Sequence, residues 1–202
     1  MAHKLFKALE MKGLYKCNTY SQNETVKHFY QTNSRKVYLV KSGILKISYP
    51  NELGEKITSI ILMKDQFFGF AQFFCDSNIN YSYEAILDGT VLHEFYISHV
   101  NLMLDTNAIS KSELFFSVGK EYSLLEKRIM ILQNRFIKKR LCKTISEFGD
   151  SLGVFPFNAE TIHKTIPINQ DELASYIRAS RIITNKILND FKKNVFRDCI
   201  NN

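Results

Sequence analysis

A short segment near the C-terminal end carries the side chains best suited to bind nucleic acid. Arg181, Asn185 and Lys186 are spaced so that one face of an α-helix presents all three. Guanidinium, amide and ammonium groups are the donors that proteins place against phosphates and base edges. On the opposite face, an apolar pattern continues through Thr184, Ile187, Leu188 and Phe191. The pattern predicts an amphipathic helix with one packed face and one polar, cationic face.

A second, shorter helix is predicted immediately before it. Asn169 is placed as an N-cap, with Glu172 three residues later as in a capping box, and the helix runs from Gln170 to about Tyr176. Ser180 is the predicted N-cap of the following helix. Two helices joined by so short a turn are typical of the helix-turn-helix motif. The alternative is a pair of amphipathic helices that pack in another kind of α domain.

The turn between these helices, residues 177–179, contains an unusual residue. Such a turn usually needs positive φ, for which glycine is the least strained residue, and the sequence has Arg178 there. A side chain in that conformation costs roughly 1 kcal/mol. Ala174 supplies the small side chain that crossing helices need at their contact. We therefore expect a helix-turn-helix with a strained turn.

Positive charge is concentrated in the same part of the chain. The 202 residues carry a formal net charge of +7, and residues 127–202 hold 14 Lys and Arg against 7 Asp and Glu. Residues 1–126 hold 13 of each sign and are neutral. This distribution indicates that only the C-terminal part contacts a polyanion.

Several classes of function lack their sequence signals. The four cysteines and five histidines show no metal-ligand spacing, so no metal site is expected, and with no signal peptide the thiols are expected to be reduced. No phosphate-binding glycine loop and no constellation of nucleophile and base occurs, so an enzyme is not expected. There is no signal peptide and no apolar run of 18 residues, which predicts a cytoplasmic protein without a membrane span.

The first half of the chain predicts an antiparallel β structure after a short helix in residues 1–13. Short runs of β-branched and aromatic residues alternate with turn signals, and no βα alternation occurs. The predicted strands are Thr25–Tyr30, Lys36–Val40, Ile44–Ser48, Ile57–Met63, Glu84–Leu87 and Val91–Tyr96. Six or more short strands at this spacing predict a sandwich or a roll.

A long helix is predicted over residues 110–149, with an apolar seam at alternating spacings of three and four residues. The seam consists of Phe115, Val118, Tyr122, Leu125, Ile129, Leu132 and Phe136. This heptad pattern favours pairing with the same helix of a second chain, and the alternative is packing within one chain. Near residues 136–139 we expect a hinge. The basic residues after Phe136, which are Lys138, Lys139, Arg140 and Lys143, are candidate phosphate contacts, and the alternative is a solvated charged face.

In this order, these elements resemble the Crp/Fnr family of bacterial transcription regulators. The matching segments are VYLVKSGILKI (37–47), LGEKITSIIL (53–62), FFGF (67–70) and, above all, DELASYIRASRIITNKIL (171–188). The resemblance implies an α+β fold with an N-terminal β-roll of the cyclic-nucleotide-binding type in residues 1–109. A dimerisation helix (110–137) and a winged-helix-like helix-turn-helix domain (138–202) would follow. Only Val195-Phe196 remains to begin a wing, so the wing is expected to be truncated.

The resemblance also implies partners and site residues. It predicts a homodimer that binds a palindromic double-stranded DNA operator and acts with RNA polymerase, and it leaves open whether an unknown small-molecule effector exists. The DNA-binding residues it implies are Asn169, Gln170, Ser180, Arg181, Ile182, Ile183, Asn185, Lys186 and Lys139. Ile182 stands where many members have a Glu that reads cytosine, so an operator richer in A·T is expected.

The cyclic-nucleotide pocket of the family is degenerate in this sequence. Phe70 stands where the family has the Glu for the ribose, and Asn80-Tyr81 stand where it has an Arg followed by Ser or Thr. No Lys or Arg occurs in residues 65–110, so we do not expect cyclic nucleotide binding. Cys17 stands alone, which does not fit an iron–sulfur cluster, and no cofactor is predicted. A competing hypothesis is a small-molecule sensor that has lost DNA binding and acts through a protein partner.

Overall fold

The computed structural model describes residues 4–26, 35–70, 81–152 and 166–193. The chain divides into two compact units, Met1–Leu125 and Glu126–Asn202, which we call the β unit and the helical unit. The division into three domains at residues 109 and 137 stays a prediction.

The β unit contains two antiparallel sheets, which confirms the predicted strand-rich N-terminal half. Its described elements are α1 (Lys4–Met11), β1 (Lys16–Tyr20), β2 (Lys36–Ser42), β3 (Ile44–Pro50), β4 (Lys56–Met63), β5 (Phe67–Phe68), β6 (Ser82–Ala85), β7 (Thr90–Tyr96) and α2 (Ile97–Asp105). One sheet has the order β1-β7-β2-β5 and the other has the order β4-β3-β6. Every described strand pair is antiparallel.

Two hydrophobic cores lie on the two faces of the first sheet. Strand β2 shows this directly, because Val37 and Leu39 pack with α1 and α2 whereas Tyr38 and Val40 pack with the second sheet. Successive strand residues point to opposite faces, so a strand buried on both sides is apolar without interruption. This explains why the sequence of β2 shows no alternation of apolar and polar residues.

Some strands differ from the predicted set. Strands β1 and β5 were not predicted, since β1 is mostly polar and β5 has two residues. The predicted strand Thr25–Tyr30 is wrong in its described part, where Thr25 forms an isolated bridge to Glu84. Residues 27–30 lie outside the described residues.

The remaining helices are α3 (Lys111–Leu132), α4 (Ile137–Leu152), α5 (Gln170–Tyr176) and α6 (Arg181–Lys193). The heptad pattern predicted a helix that continues beyond Phe136. Helix α3 instead ends at Leu132. The side chain of Asn134 accepts a hydrogen bond of 3.1 Å from the N–H of Phe136, which stabilises a turn in place of further helix. The core of the helical unit includes Leu141, Ile145, Phe148, Leu173, Tyr176, Ile177, Leu188 and Phe191.

The cysteines differ from the sequence expectation. Cys17 is a free thiol, but Cys142 is disulfide-bonded, so the prediction of four reduced cysteines is wrong for Cys142. Among the helices described, none is long and apolar enough to cross a membrane. The predicted loop or hairpin in residues 150–164 and the predicted wing residues Val195-Phe196 lie outside the described residues, except for the first positions of that loop, which belong to α4.

Candidate nucleic-acid interface

The first helix of the predicted pair begins as its sequence indicates. The side-chain oxygen of Asn169 accepts a hydrogen bond of 2.8 Å from the N–H of Glu172, and α5 starts at Gln170. This satisfies one of the N–H groups that every helix leaves unpaired at its start. Helix α5 ends at Tyr176, and the predicted bounds of this short helix are confirmed.

The turn after α5 is a Schellman motif with an arginine in the left-handed position. Arg178 has a φ of 52°. The N–H of Arg178 donates to the carbonyl of Ser175 at 3.0 Å, and the N–H of Ala179 donates to that of Ala174 at 2.9 Å. These bonds define the motif, in which glycine is the usual residue at the position of Arg178. The predicted positive φ is confirmed, and a side chain there costs roughly 1 kcal/mol.

Two arginines from the preceding helices bind the carbonyl groups of this turn. Arg140 of α4 donates from Nε to the carbonyl of Ile177 at 2.8 Å and from Nη2 to that of Arg178 at 2.9 Å. Arg128 of α3 donates from Nη2 to the carbonyl of Tyr176. Arg140 was a candidate phosphate contact from sequence, but its guanidinium is directed to backbone carbonyls.

Arg128 is nearly buried, with 5% of its surface exposed, and its guanidinium carbon lies 3.4 Å from the centre of the Tyr176 ring. Burial lowers the pKa of this arginine, while Tyr176 and Glu147 oppose that shift. Burial also raises the pKa of Glu147, against the effect of the charge on Arg128. Sequence reasoning missed Arg128, although the spacing from Leu124 and to Ile131 places it on the buried flank of α3.

Helix α6 has a packed face and an exposed face. Thr184, Leu188 and Phe191 are buried. Arg181, Lys186 and Ile182 are exposed, and 82% of the surface of Ile182 is accessible. The amphipathic pattern predicted for this segment is therefore present in the structure.

The other predicted DNA-binding residues divide into exposed and partly buried positions. Asn169, Gln170, Ser180, Ile183 and Lys139 are exposed, and Asn185 is half-buried. The Oδ1 atom of Asn185 is buried, so this oxygen does not face solvent. That these residues contact DNA stays a prediction.

An acidic residue that sequence reasoning did not single out lies beside the exposed face. Asp171 of α5 forms an ion pair with Arg181, with 3.1 Å between Oδ2 and Nη1. Both side chains are more than 60% exposed, so the pair is solvated and weak. A phosphate or a base edge can replace Asp171 as the partner of Arg181 at low cost.

The predicted seam on α3 is mostly solvent-exposed in the single chain. Phe115, Tyr122, Leu125, Ile129 and Phe136 are exposed, whereas Val118 packs on the core of the β unit and Leu132 is partly buried. Phe136 follows the end of α3 and does not continue its helical stripe. A row of large apolar side chains left in solvent is typical of a protein–protein interface.

In the β unit, the FFGF segment is bound by a carboxylate of α3. Glu121 accepts hydrogen bonds from the N–H of Gly69 at 3.1 Å and from the N–H of Phe70 at 3.0 Å. Burial raises the pKa of Glu121, while these two N–H groups oppose the shift. Phe70, at the position where the family has a ribose-binding Glu, is buried in the core. Among the described residues, no group of three or more His, Cys, Asp or Glu is placed to hold a metal ion.

Solved structures share this fold over most of the chain. A cyclic nucleotide-binding domain containing protein from Listeria monocytogenes has a TM-score of 0.69 at 15% identity, over 94% of this chain and 88% of that chain. FixK2 from Bradyrhizobium japonicum has a TM-score of 0.66 at 15% identity, over 89% and 85%. A CRP/FNR-family transcriptional regulator from Thermus thermophilus has a TM-score of 0.59 at 15% identity, over 88% and 86%.

The fold is therefore that of the Crp/Fnr transcription regulators, which confirms the resemblance at the level of structure. At identities of 15%, the likeness establishes the fold alone. No family model matches the sequence, and no curated protein is detectably similar to it.

Proposed function

We propose that the chain is a sequence-specific DNA-binding transcription regulator of the Crp/Fnr type. The observation that supports this most directly is the pair α5 and α6, joined by a Schellman turn, with cationic side chains on the exposed face of α6. In our proposal α5 and α6 form a helix-turn-helix in which α6 enters the major groove.

The residues of α6 have different roles in this proposal. Arg181, in the first turn of the helix, contacts base edges, and Lys186 contacts bases or phosphate. Ile182 offers an apolar surface to a thymine methyl group, and unlike a carboxylate it does not accept a hydrogen bond from cytosine. Lys139, which is exposed on α4, contacts phosphate.

Selection from a random pool of DNA duplexes tests this proposal. The wild type is expected to recover a palindromic motif. Arg181→Ala should lose information at one position of each half-site and bind the selected operator more weakly by about 1–3 kcal/mol per half-site. Lys64→Ala, which removes the same charge from an exposed position in the β unit, is the matched control. Recovery of the wild-type motif by Arg181→Ala would show that α6 does not read the sequence.

We also propose that the regulator is a homodimer through the seam on α3. The exposed large side chains Tyr122, Leu125 and Ile129 support this. In addition, a palindromic site requires two copies of the reading helix. In Leu125→Lys/Ile129→Lys, buried ammonium groups should outweigh the packing energy and give a monomer in sedimentation. Met130→Lys, on the same helix outside the seam, should remain dimeric. An unchanged dimer in the double variant would exclude this seam.

The regulator is not expected to respond to cyclic AMP or cyclic GMP. A cyclic phosphate buried in the β unit needs donors, and residues 65–110 contain no Lys or Arg. In addition, two backbone N–H groups of the FFGF segment are bonded to Glu121. Calorimetric titration should show no saturable binding at micromolar concentrations. A tight signal with either nucleotide would contradict this part of the proposal.

The alternative function is a sensor that acts through a protein partner without binding DNA. The exposed surface of Ile182 and Ile183, 82% and 43% respectively, favours it, because adjacent apolar side chains suit a protein surface. If the wild type selects no motif from the duplex pool and retains only weak, salt-dependent binding that is equal for all sequences, this alternative is preferred.

A further inference from the structure

We propose that Arg140 and Arg128 are the positioning residues of α6, and that they act on the turn before the helix and not on DNA. The inference rests on the proposed function, since it concerns the orientation of the helix that would read DNA. It assigns to both arginines a role that their charge alone does not suggest.

Every carbonyl from Leu173 to Arg178 has an identified donor, and the donors change along this stretch. The N–H groups of Ile177, Arg178 and Ala179 donate to the carbonyls of Leu173, Ser175 and Ala174, as expected for a helix end. The last three carbonyls, those of residues 176–178, lie beyond these backbone bonds. They accept from the two guanidinium groups, one from Arg128 and two from Arg140.

Arginine is suited to this position in a way that lysine is not. The planar guanidinium of Arg140 spans the consecutive carbonyls of Ile177 and Arg178, at 2.8 and 2.9 Å. Its Nη1 atom also donates to the carbonyl of Asn134 at 2.8 Å, in the segment between α3 and α4. A lysine has one nitrogen on a flexible stem and does not bridge three carbonyls in fixed directions.

The turn held in this way determines where α6 begins. Ser180, the residue before the helix, follows Arg178 by two positions, and Arg181 is the first helical residue. A change of the torsion angles at Arg178 therefore displaces the whole exposed face of α6. Base contacts require close geometry, whereas phosphate contacts are less specific and tolerate small displacements. Loss of the two arginines should therefore reduce specificity more than general affinity for DNA.

The test compares Arg140→Lys with the wild type on a selected operator and on a scrambled duplex of the same length, at one salt concentration. We expect the affinity for the operator to fall about 10-fold or more, because a base contact is lost there. The affinity for the scrambled duplex, which offers no specific base contact, should fall by at most about 2-fold. Arg135→Lys, an exposed arginine in the segment before α4, is the matched control and should change neither affinity.

A second substitution distinguishes positioning from a direct contact. Glycine adopts the left-handed conformation without strain, so Arg178→Gly added to Arg140→Lys should restore at least part of the operator affinity. A direct phosphate contact of Arg140 would instead give equal losses on both duplexes, a lower salt dependence and no rescue. Either equal losses or unchanged affinities would overturn the inference.

The outcomes also separate this inference from the proposed function. A wild type that prefers no duplex overturns the DNA-reading function, and the positioning role fails with it. A wild type with a clear operator, together with an unchanged Arg140→Lys, overturns the positioning role alone. If Arg140→Lys does not fold, the double variant with Arg178→Gly replaces it. Failure of that variant to fold would also overturn the inference, because the arginines would then stabilise the unit and not orient α6.

Discussion

Each compact unit contains a turn with a left-handed residue, and a charged side chain of α3 binds the backbone of that turn. The side chain binds N–H groups in one unit and a carbonyl group in the other. In the β unit, the carboxylate of Glu121 accepts from the N–H groups of Gly69 and Phe70. In the helical unit, the guanidinium of Arg128 donates to the carbonyl of Tyr176, and Arg140 of α4 extends the contact to the next two carbonyls. One helix thus uses an acid for one turn and a base for the other.

The two turns differ in what imposes the left-handed conformation. At Gly69, with a φ of 107°, a Cβ atom would lie 2.7 Å from the carbonyl oxygen of Lys36, so packing requires glycine. Arg178 is exposed and carries a full side chain in the same region of φ. Hydrogen bonds from Arg128 and Arg140 to the carbonyls of residues 176–178 stabilise the conformation of this turn. Sterically imposed and hydrogen-bonded turns should therefore respond differently to substitution.

The largest effect is expected at the first turn. Gly69→Ala should lower the free energy of unfolding by about 3 kcal/mol, because backbone strain and a contact with a carbonyl oxygen add together. Gly119→Ala is the matched control, since a Cβ at this position of α3 meets nothing within 4 Å and should stabilise the helix by up to about 1 kcal/mol. Urea unfolding of both variants measures the difference. Equal effects would mean that the β-unit turn is not sterically constrained.

The next effect concerns the carboxylate that binds this turn. Glu121→Ala leaves two N–H groups without their acceptor and should cost about 2 kcal/mol of unfolding free energy.

The same carboxylate predicts a pH dependence of stability. Burial raises the pKa of Glu121 above its ordinary value of 4.5, so the folded state holds this proton more tightly than the unfolded state. Stability relative to Glu121→Gln should therefore be greatest in acid and should fall as the pH rises from 4.5 through the raised pKa. Urea titrations at several pH values test this sign. A relative stability that increases over that range would contradict it.

At the second turn, substitution by glycine should have the opposite effect. Arg178→Gly removes the strain of a left-handed side chain and should raise the unfolding free energy by about 1 kcal/mol, reduced by the greater entropy of glycine in the unfolded chain. Thermal unfolding of this variant beside Arg135→Gly distinguishes a local gain from a general effect of lost charge. Destabilisation by Arg178→Gly would show that the arginine side chain itself stabilises the turn.

The smallest effect is expected where a carboxylate is bound by other side chains and not by backbone groups. Glu10 of α1 lies 2.8 Å from Nδ1 of His93 and 3.0 Å from Nζ of Lys41. Burial opposes ionisation of Glu10, but the bonds from Lys41 and His93 outweigh it and lower the pKa. Glu10→Gln should cost less than about 1 kcal/mol above pH 4.5, an effect lost as the pH falls through the lowered pKa. A loss as large as that of Glu121→Ala would show that side-chain partners stabilise Glu10 as much as backbone N–H groups stabilise Glu121.

The sequence predicted best those features that depend on neighbouring residues. The cap at Asn169, the bounds of α5 and the positive φ of Arg178 could all be predicted from the residues within a few positions of each. The end of α3 was missed because the heptad spacing continues to Phe136, whereas the hydrogen bond from the N–H of Phe136 to the side chain of Asn134 stabilises a turn there. Strand β5 was missed because its two residues are strand only through pairing with Tyr38 and Leu39, distant in sequence.

The candidate site was predictable in its exposed residues and less so in its support. Arg181, Ile182 and Lys186 were placed on the solvent side of α6 by helical spacing alone. The bonds of Arg140 to the turn connect residues 37 and 38 positions apart, and no local pattern indicates them. Long-range contacts of charged side chains to backbone groups leave no periodic signal, so basic residues in the sequence resembled a solvated surface.

The boundary between the compact units lies between Leu125 and Glu126, inside the continuous helix α3. A fragment that starts at Ile137, where α4 begins, would keep Arg140 but lose Arg128. A fragment that starts at Glu126 would keep both arginines, but it would sever the backbone hydrogen bonds that cross the boundary and leave new helix N–H groups unpaired. Gene fusions that exchange one compact unit would therefore have to preserve the helical register through α3, and not merely the residues of the other unit.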